Sequence, residues 1–400
     1  MVNEFHSNKY GWLCFGIAVT SGSVFSKLRI IRGRRTVITA AVKEVQDIDI
    51  APFRVLESYP PNHNARHLSR IYTVPSDVTK LLKNELPKET VKRIDIFREF
   101  GILVRKPAIE LISYLEQTDY TKPVNRYVLY GKTGVGKSTT LMHLVHYGLA
   151  RQFIVIHLPW ICNWYKFPKD IAESPLIPGQ LDLPQNAAIW LKYFSTLNQL
   201  TLSKFDLKVS KDYNWSQRET TKAGESLLSL IEFGIQRTKF ACGVVSALID
   251  ELKAASTAGK CRTLVVIDGF NSFISNSTSI RDETRKYVPP ERISLTAPFY
   301  NSAEYNWCNG AVLLSVDIRA TRDRTESIYP KYLLDKKGFE HLDPFLPMNV
   351  ENYTVDEFKT ILEYYEDRKW IRKFSPQGQR EIELLTNKNP LDVWDRCKSL

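Results

Sequence analysis

The sequence predicts an α/β protein in which helices wind a parallel sheet on both faces, with a small all-helical domain at its C-terminal end. Three observations predict it. From about residue 101, short apolar runs alternate with amphipathic stretches, the pattern of parallel strands joined by helices. A glycine-rich string, Gly131-Lys132-Thr133-Gly134-Val135-Gly136-Lys137-Ser138, lies between one such run and a helical stretch. From about residue 350 the strand pattern stops, and helical spacing follows the capping box Thr354-Val355-Asp356-Glu357.

Taken in order, residues 44–100 carry scattered Pro, Asn and charge with a Tyr59-Pro60-Pro61-Asn62 turn, so they read as an extended arm with a short helix near Ser76 to Asn84. A helix opens at Pro107 and runs through Ile109, Leu111, Ile112 and Leu115. Tyr127 to Tyr130 is a short strand feeding the glycine-rich loop, and Lys137 to Ala150 is the helix behind it. The strand Phe153 to Leu158 comes next. Residues 159–222 read as an irregular insertion with a helix around Ala187 to Asn198, in which Trp160, Trp164, Trp190 and Trp215 are core or interface anchors. One helix over 225–255 precedes a buried strand, Thr263 to Ile267, that ends in Asp268. Residues 276–300 are a loop, and the strand Ala311 to Val316 ends at Asp317. Phe358, Ile361, Leu362 and Tyr365 mark a helix in the tail, Ser375-Pro376 opens another, and Asn389-Pro390 ends it. The domains are therefore 1–43, 44–100, 101–349 and 350–400, the last a helical lid.

Bulk properties narrow the function classes. The 43% hydrophobic residues suffice for a large core, and nothing is collagen-like or coiled-coil. Residues 1–43 hold seven basic residues against Glu4 alone, more than half of the net charge of +11, so the folded part is only mildly basic. From Phe5 to Val42 there is no acid, while Arg, Ser and small apolar residues recur. That is the composition of a mitochondrial transit peptide, and it predicts the mitochondrial matrix. The apolar run from Gly11 to Phe25 is too short and too rich in Gly and Ser to span a bilayer. Six scattered cysteines without a closely spaced pair read as reduced thiols. His143 and His146 share a helix face with no third ligand nearby, which favours packing over metal.

The glycine-rich string is a P-loop. Its glycines let backbone N–H groups turn inward around phosphate oxygens, and the helix dipole behind it adds positive potential. Gly131 through Ser138, with Thr139, are the candidate nucleotide-binding residues. Lys137 is placed for the β- and γ-phosphates and the Ser138 hydroxyl for magnesium. Asp268, at the tip of a buried strand, is the second candidate magnesium residue, acting through water. Gly269, Phe270 and Asn271 follow it, so no carboxylate adjoins Asp268 to activate water, although Asn271 has the chemistry to position one. Binding is thus better supported than turnover, and no catalytic residue is assigned. Asp317 ends the neighbouring strand, where a γ-phosphate sensor is placed in such folds, or is an ordinary strand end. Arg319, Arg322 and Arg324 follow as phosphate or RNA contacts or as a solvated basic loop. The base is not specified. The guanine motif Asn-Lys-x-Asp is missing, and its nearest string, Asn387-Lys388-Asn389-Pro390, reads as a helix stop. ATP therefore stays open beside GTP or GDP.

Beyond the P-loop, the chain resembles the death-associated protein family, the GTP-binding protein of the mitochondrial ribosomal small subunit. The resemblance begins at Val104-Arg105-Lys106-Pro107-Ala108-Ile109-Glu110-Leu111 and continues in Arg126-Tyr127-Val128-Leu129-Tyr130-Gly131. It includes His157-Leu158-Pro159 with Trp164, Trp190-Leu191-Lys192, and the Trp215 to Thr220 segment with Arg218-Glu219. Val266-Ile267-Asp268-Gly269, Gly338-Phe339-Glu340 with Leu342-Asp343-Pro344-Phe345, Asn352-Tyr353 and Asn387 to Pro390 complete it. The resemblance implies an AAA-like P-loop core with a helical lid. It further implies bound GTP or GDP with Mg²⁺, and a structural place among the rRNA and proteins of the mitochondrial small subunit. A link to apoptosis comes with it. Two departures stand out: Ser138 where Thr is usual, and Val316-Asp317 where Ser-Gln is expected. The rival functions are an AAA-like ATPase that remodels substrates and a partner-binding cell-death switch.

Overall fold

Apolar runs long enough to be buried on both faces dictate the central element, a five-stranded parallel sheet. In the computed structural model, residues 51–322 and 326–398 are described; the predicted transit segment 1–43 and Arg324 lie outside them. The described residues form one compact unit. In chain order, three short strands come first: β1 Arg54–Val55, β2 Ile71–Val74 and, after helices α1 Ser76–Leu82 and α2 Lys88–Phe97, β3 Phe100–Leu103. Helix α3 Lys106–Gln117 leads into β4 Asn125–Tyr130, the glycine-rich loop, and α4 Lys137–Ala150. Then follow β5 Ile154–Leu158, α5 Pro184–Leu197, α6 Leu227–Gln236, α7 Ala241–Thr257, β6 Thr263–Ile267, β7 Gly310–Ser315 and β8 Leu346–Asn349. The tail holds α8 Val355–Asp367, α9 Pro376–Thr386 and α10 Pro390–Cys397.

The large sheet runs β8-β4-β7-β6-β5 with every neighbouring pair parallel. Every residue of β5, β6 and β7 is buried, as parallel strands covered on both faces require. The β4-to-β5 connection crosses the sheet one way and the β5-to-β6 connection returns. Right-handed crossovers therefore put α4 on one face and the layer of α5, α6 and α7 on the other. This is the AAA-like core that the resemblance implies. The strand carrying the loop and the strand ending in Asp268 are separated by β7, whose tip carries Asp317. The expectation missed β8, which contains Pro347 and is mostly exposed. Proline is tolerated there because β8 is an edge strand.

Three further expectations need correction. The segment 44–100 is not an extended arm over its described part. It folds into the β1-β2-β3 sheet with α1 and α2. Phe53, Ile71, Phe97 and Leu103 share a core with Phe358, Ile361, Leu362, Tyr365 and Trp394. The tail helices thus have no core of their own: they and the 51–103 segment bury one another's apolar faces. The single helix over 225–255 is two, α6 and α7, because Arg237 leaves helical geometry at φ −106°, ψ 68°. Asn389-Pro390 does not close a helix. Asn387, left-handed at φ 45°, ends α9, and Asn389 caps α10 by accepting from the Leu391 amide at 3.0 Å. The expected capping box is present: Thr354 and Glu357 bond reciprocally at 3.2 and 3.0 Å.

Candidate functional site

The loop between β4 and α4 turns on glycines in backbone conformations closed to other residues. Gly131 has φ 146° and Gly134 has φ 83°. Space as well as conformation excludes a side chain at both. A Cβ on Gly131 would lie 2.2 Å from the Val350 carbonyl oxygen, and one on Gly134 would lie 2.6 Å from Leu391 Cβ. Gly136, also at positive φ, delivers the chain into α4, whose first residue is Lys137.

Lys137 is buried, and its ammonium is fully engaged. It donates to the Gly131 carbonyl at 2.8 Å and the Lys132 carbonyl at 2.9 Å, and pairs with Asp317 Oδ2 at 2.9 Å. Asp317 is itself held in place. Its Oδ1 accepts from the Arg319 amide at 2.9 Å and from the Thr133 hydroxyl at 3.3 Å. Burial alone would raise its carboxyl, but the Lys137 charge and the Arg319 amide hold it below the usual carboxylate range.

Next along the helix comes Ser138, whose hydroxyl favours the ionised form of the Asp268 carboxyl, as does the Ser315 hydroxyl that donates to it. Burial pushes the Asp268 carboxyl above its ordinary value against the pull of these two hydroxyls, and the nearby Asp317 charge adds to the rise. Thr139 follows, half-buried, while Lys132 is exposed and Val135 is packed inside. The fold therefore brings Lys137, Ser138 and Asp268 together, although 130 residues separate Ser138 from Asp268.

The other expected polar groups are used differently. Asn271 does not face open space. Its amide donates to the Asp317 carbonyl at 2.9 Å and accepts from the Asp317 amide at 3.1 Å, bracing the tip of β7. Arg319 stays near the loop, over the Trp160 ring at 5.7 Å and 3.5 Å from Asp317. Arg322 turns away, donating to the Thr278 carbonyl at 2.9 Å beneath the Tyr287 ring. Trp190 and Trp215 are core residues, and His143 and His146 are buried, with His63 Nδ1 2.9 Å from His143 Nε2.

Residue-by-residue reading missed what secures the loop from behind. Arg105, just ahead of α3, donates to the Val135 carbonyl at 2.7 Å and to the Glu351 carbonyl at 2.9 Å, and pairs with Glu357 at 3.1 Å. From the tail, Asn389 donates to the Thr133 carbonyl at 2.9 Å and the Leu391 amide to the Gly134 carbonyl at 3.2 Å. The only sequence signal for these contacts was that Arg105 and Asn389 both lie in the strings that carry the resemblance.

The family model for the mitochondrial ribosomal death-associated protein 3 matches residues 102–394, from the end of β3 to α10. The chain belongs to that family. Its relatives include the bovine small ribosomal subunit protein mS29, 34% identical over 84% of this chain and 85% of that protein. The mouse protein of the same name is 33% identical over 87% and 89%. Among solved structures, the Aeropyrum pernix ORC2 protein aligns over 74% of this chain and 60% of that one. Its TM-score is 0.36 at 16% identity, a level at which neither chain informs the other's function. Among the described residues of this family member, no helix is long and apolar enough to cross a membrane.

Proposed function

We propose that this chain is a structural protein of the mitochondrial small ribosomal subunit, working in the matrix beside rRNA and neighbouring ribosomal proteins, and that its P-loop holds GTP or GDP with Mg²⁺. The family match over residues 102–394 and the near full-length likeness to proteins named for that subunit support the first part. The observation that carries the second is the convergence of Lys137, Ser138 and Asp268 at the mouth of a loop whose glycines expose its amides.

The residues present fit a magnesium-bound phosphate chain. The Ser138 hydroxyl and the Asp268 carboxylate form the oxygen pair a hard divalent cation takes, and the loop amides and Lys137 meet phosphate oxygens. Magnesium would supply charge neutralisation there. With no carboxylate next to Asp268 and Asn271 committed to Asp317, the bound nucleotide serves folding rather than turnover. A ligand present at a hundredfold excess over Kd stabilises its protein by roughly 2.7 kcal/mol without hydrolysis. Because the helical tail touches the loop at Thr133 and Gly134, that stabilisation reaches both parts of the molecule.

Co-sedimentation of the tagged chain with mitochondrial small subunits, before and after a high-salt wash, tests this reading, with the extracted nucleotide identified by chromatography. Retention through the wash with guanine nucleotide is expected. Release at high salt, or an adenine nucleotide in its place, would overturn the corresponding part.

A further inference from the structure

An ammonium has three N–H donors. All three on Lys137 are used within the chain, by the Gly131 carbonyl, the Lys132 carbonyl and the Asp317 carboxylate. A phosphate oxygen that reaches Lys137 must displace one of them. The carboxylate is the strongest of the three because its bond is charge-assisted, and it is the least free to leave. Its other oxygen is held by the Arg319 amide and the Thr133 hydroxyl, its backbone by both ends of the Asn271 amide. Asp317 also caps the turn Ile318–Ala320.

We propose that Asp317 is a specificity residue: its carboxylate supplies the anion that a terminal phosphate would bring to Lys137, so that the site takes a nucleoside diphosphate in preference to a triphosphate. The inference rests on the reading of the loop as a nucleotide site. A terminal phosphate would bring one to two further negative charges to an ammonium already paired with a buried, ionised carboxylate. Like charges a few ångströms apart in a poorly solvated site repel strongly. Expelling Asp317 would leave its carboxylate buried beside Asp268, another carboxylate. The α- and β-phosphates meet the loop amides, and a β-phosphate oxygen that reaches Lys137 can take the place of the uncharged Gly131 or Lys132 carbonyl, leaving the Asp317 pair in place.

Equilibrium titration of the purified full chain with GDP and with a non-hydrolysable GTP analogue, each with magnesium, tests this in the native protein and in Asp317→Asn. The native protein is expected to bind the diphosphate at least tenfold more tightly. Asp317→Asn, which keeps the size of the side chain and loses its charge, should reduce that ratio to threefold or less by tightening triphosphate binding. Diphosphate affinity should rise by a smaller factor than triphosphate affinity, because the terminal phosphate is the group that Asp317 replaces at Lys137. Equal affinities in the native protein would overturn the inference and leave the nucleotide site standing. Weaker binding of both nucleotides to Asp317→Asn, with altered magnesium dependence, would make Asp317 a metal ligand instead and also overturn it. If neither protein binds either nucleotide, the reading of the loop itself fails.

Discussion

Arg105 and Glu357 form a buried ion pair at 3.1 Å across 252 residues of sequence. Glu357 also closes the capping box of α8 through the Thr354 amide, while Arg105 bonds to the Val135 carbonyl in the loop. One pair of side chains thus joins the start of the tail to the back of the glycine-rich loop.

Removing one partner leaves the other charge buried and unpaired, which costs about 3–5 kcal/mol. Arg105→Met and Glu357→Gln are each expected to lower unfolding free energy on that scale in urea titrations. The double variant should cost clearly less than the sum of the two. Additive losses would mean that the pair is not coupled in solution.

Lys137→Ala should reduce nucleotide affinity by more than about 2 kcal/mol, roughly thirtyfold, since it removes the cation at the centre of the loop. Binding of a fluorescent guanine nucleotide to both proteins measures this. Unchanged affinity would reduce the loop to a structural turn.

Hydrolysis of GTP by the isolated chain is expected to be slow, near the unassisted rate of about 10⁻⁴ per second known for P-loop proteins without a partner's arginine. Single-turnover release of labelled phosphate with magnesium is the measurement. A rate above about 1 per second that Asp268→Ala abolishes would favour a remodelling ATPase, on the usual scale of turnover numbers.

Stability should fall as the solution is acidified. Burial holds His143 well below its ordinary value, His146 at about 4 and His157 at about 3, whereas the unfolded imidazoles titrate near 6.5. Folded-state values below the unfolded one mean that the unfolded chain binds more protons once pH drops under 6.5. The stabilisation is complete above that value and is lost as pH falls below it, through about 4 for His146 and about 3 for His157, by up to about 4 kcal/mol per pH unit where all three groups contribute. Denaturant midpoints at pH 7.5, 6.0 and 5.0 record the slope, and His143→Gln should make it shallower. A flat profile would show that the folded protein accommodates the charged imidazoles.

How much of this was legible in the sequence depended on how local each feature is. The loop helix Lys137–Ala150 and the strand Thr263–Ile267 have the bounds their patterns predict, because an apolar run ending in Asp and a glycine-rich turn before a helix are written in neighbouring residues. The Thr354 capping box was legible for the same reason. The break at Arg237 was not, since no glycine or proline stands at residues 236–240 to announce it. Nor was β8, where Pro347 disguises a strand that the sheet accepts at its edge.

Sequence by itself determined the alternation of strands and helices, the conformation of the loop glycines and the kinds of side chain proposed to meet phosphate and magnesium. Each of these follows from backbone sterics and hydrophobic period over a few residues. Tertiary structure alone decided that Asp317 pairs with Lys137, that Asn271 braces the strand tip, and that the tail shares its core with residues 51–103. The reason is strand order. Placing β7 between β4 and β6 sets Asp317 beside the loop, and the partners of a buried charge are chosen by what the fold delivers to it.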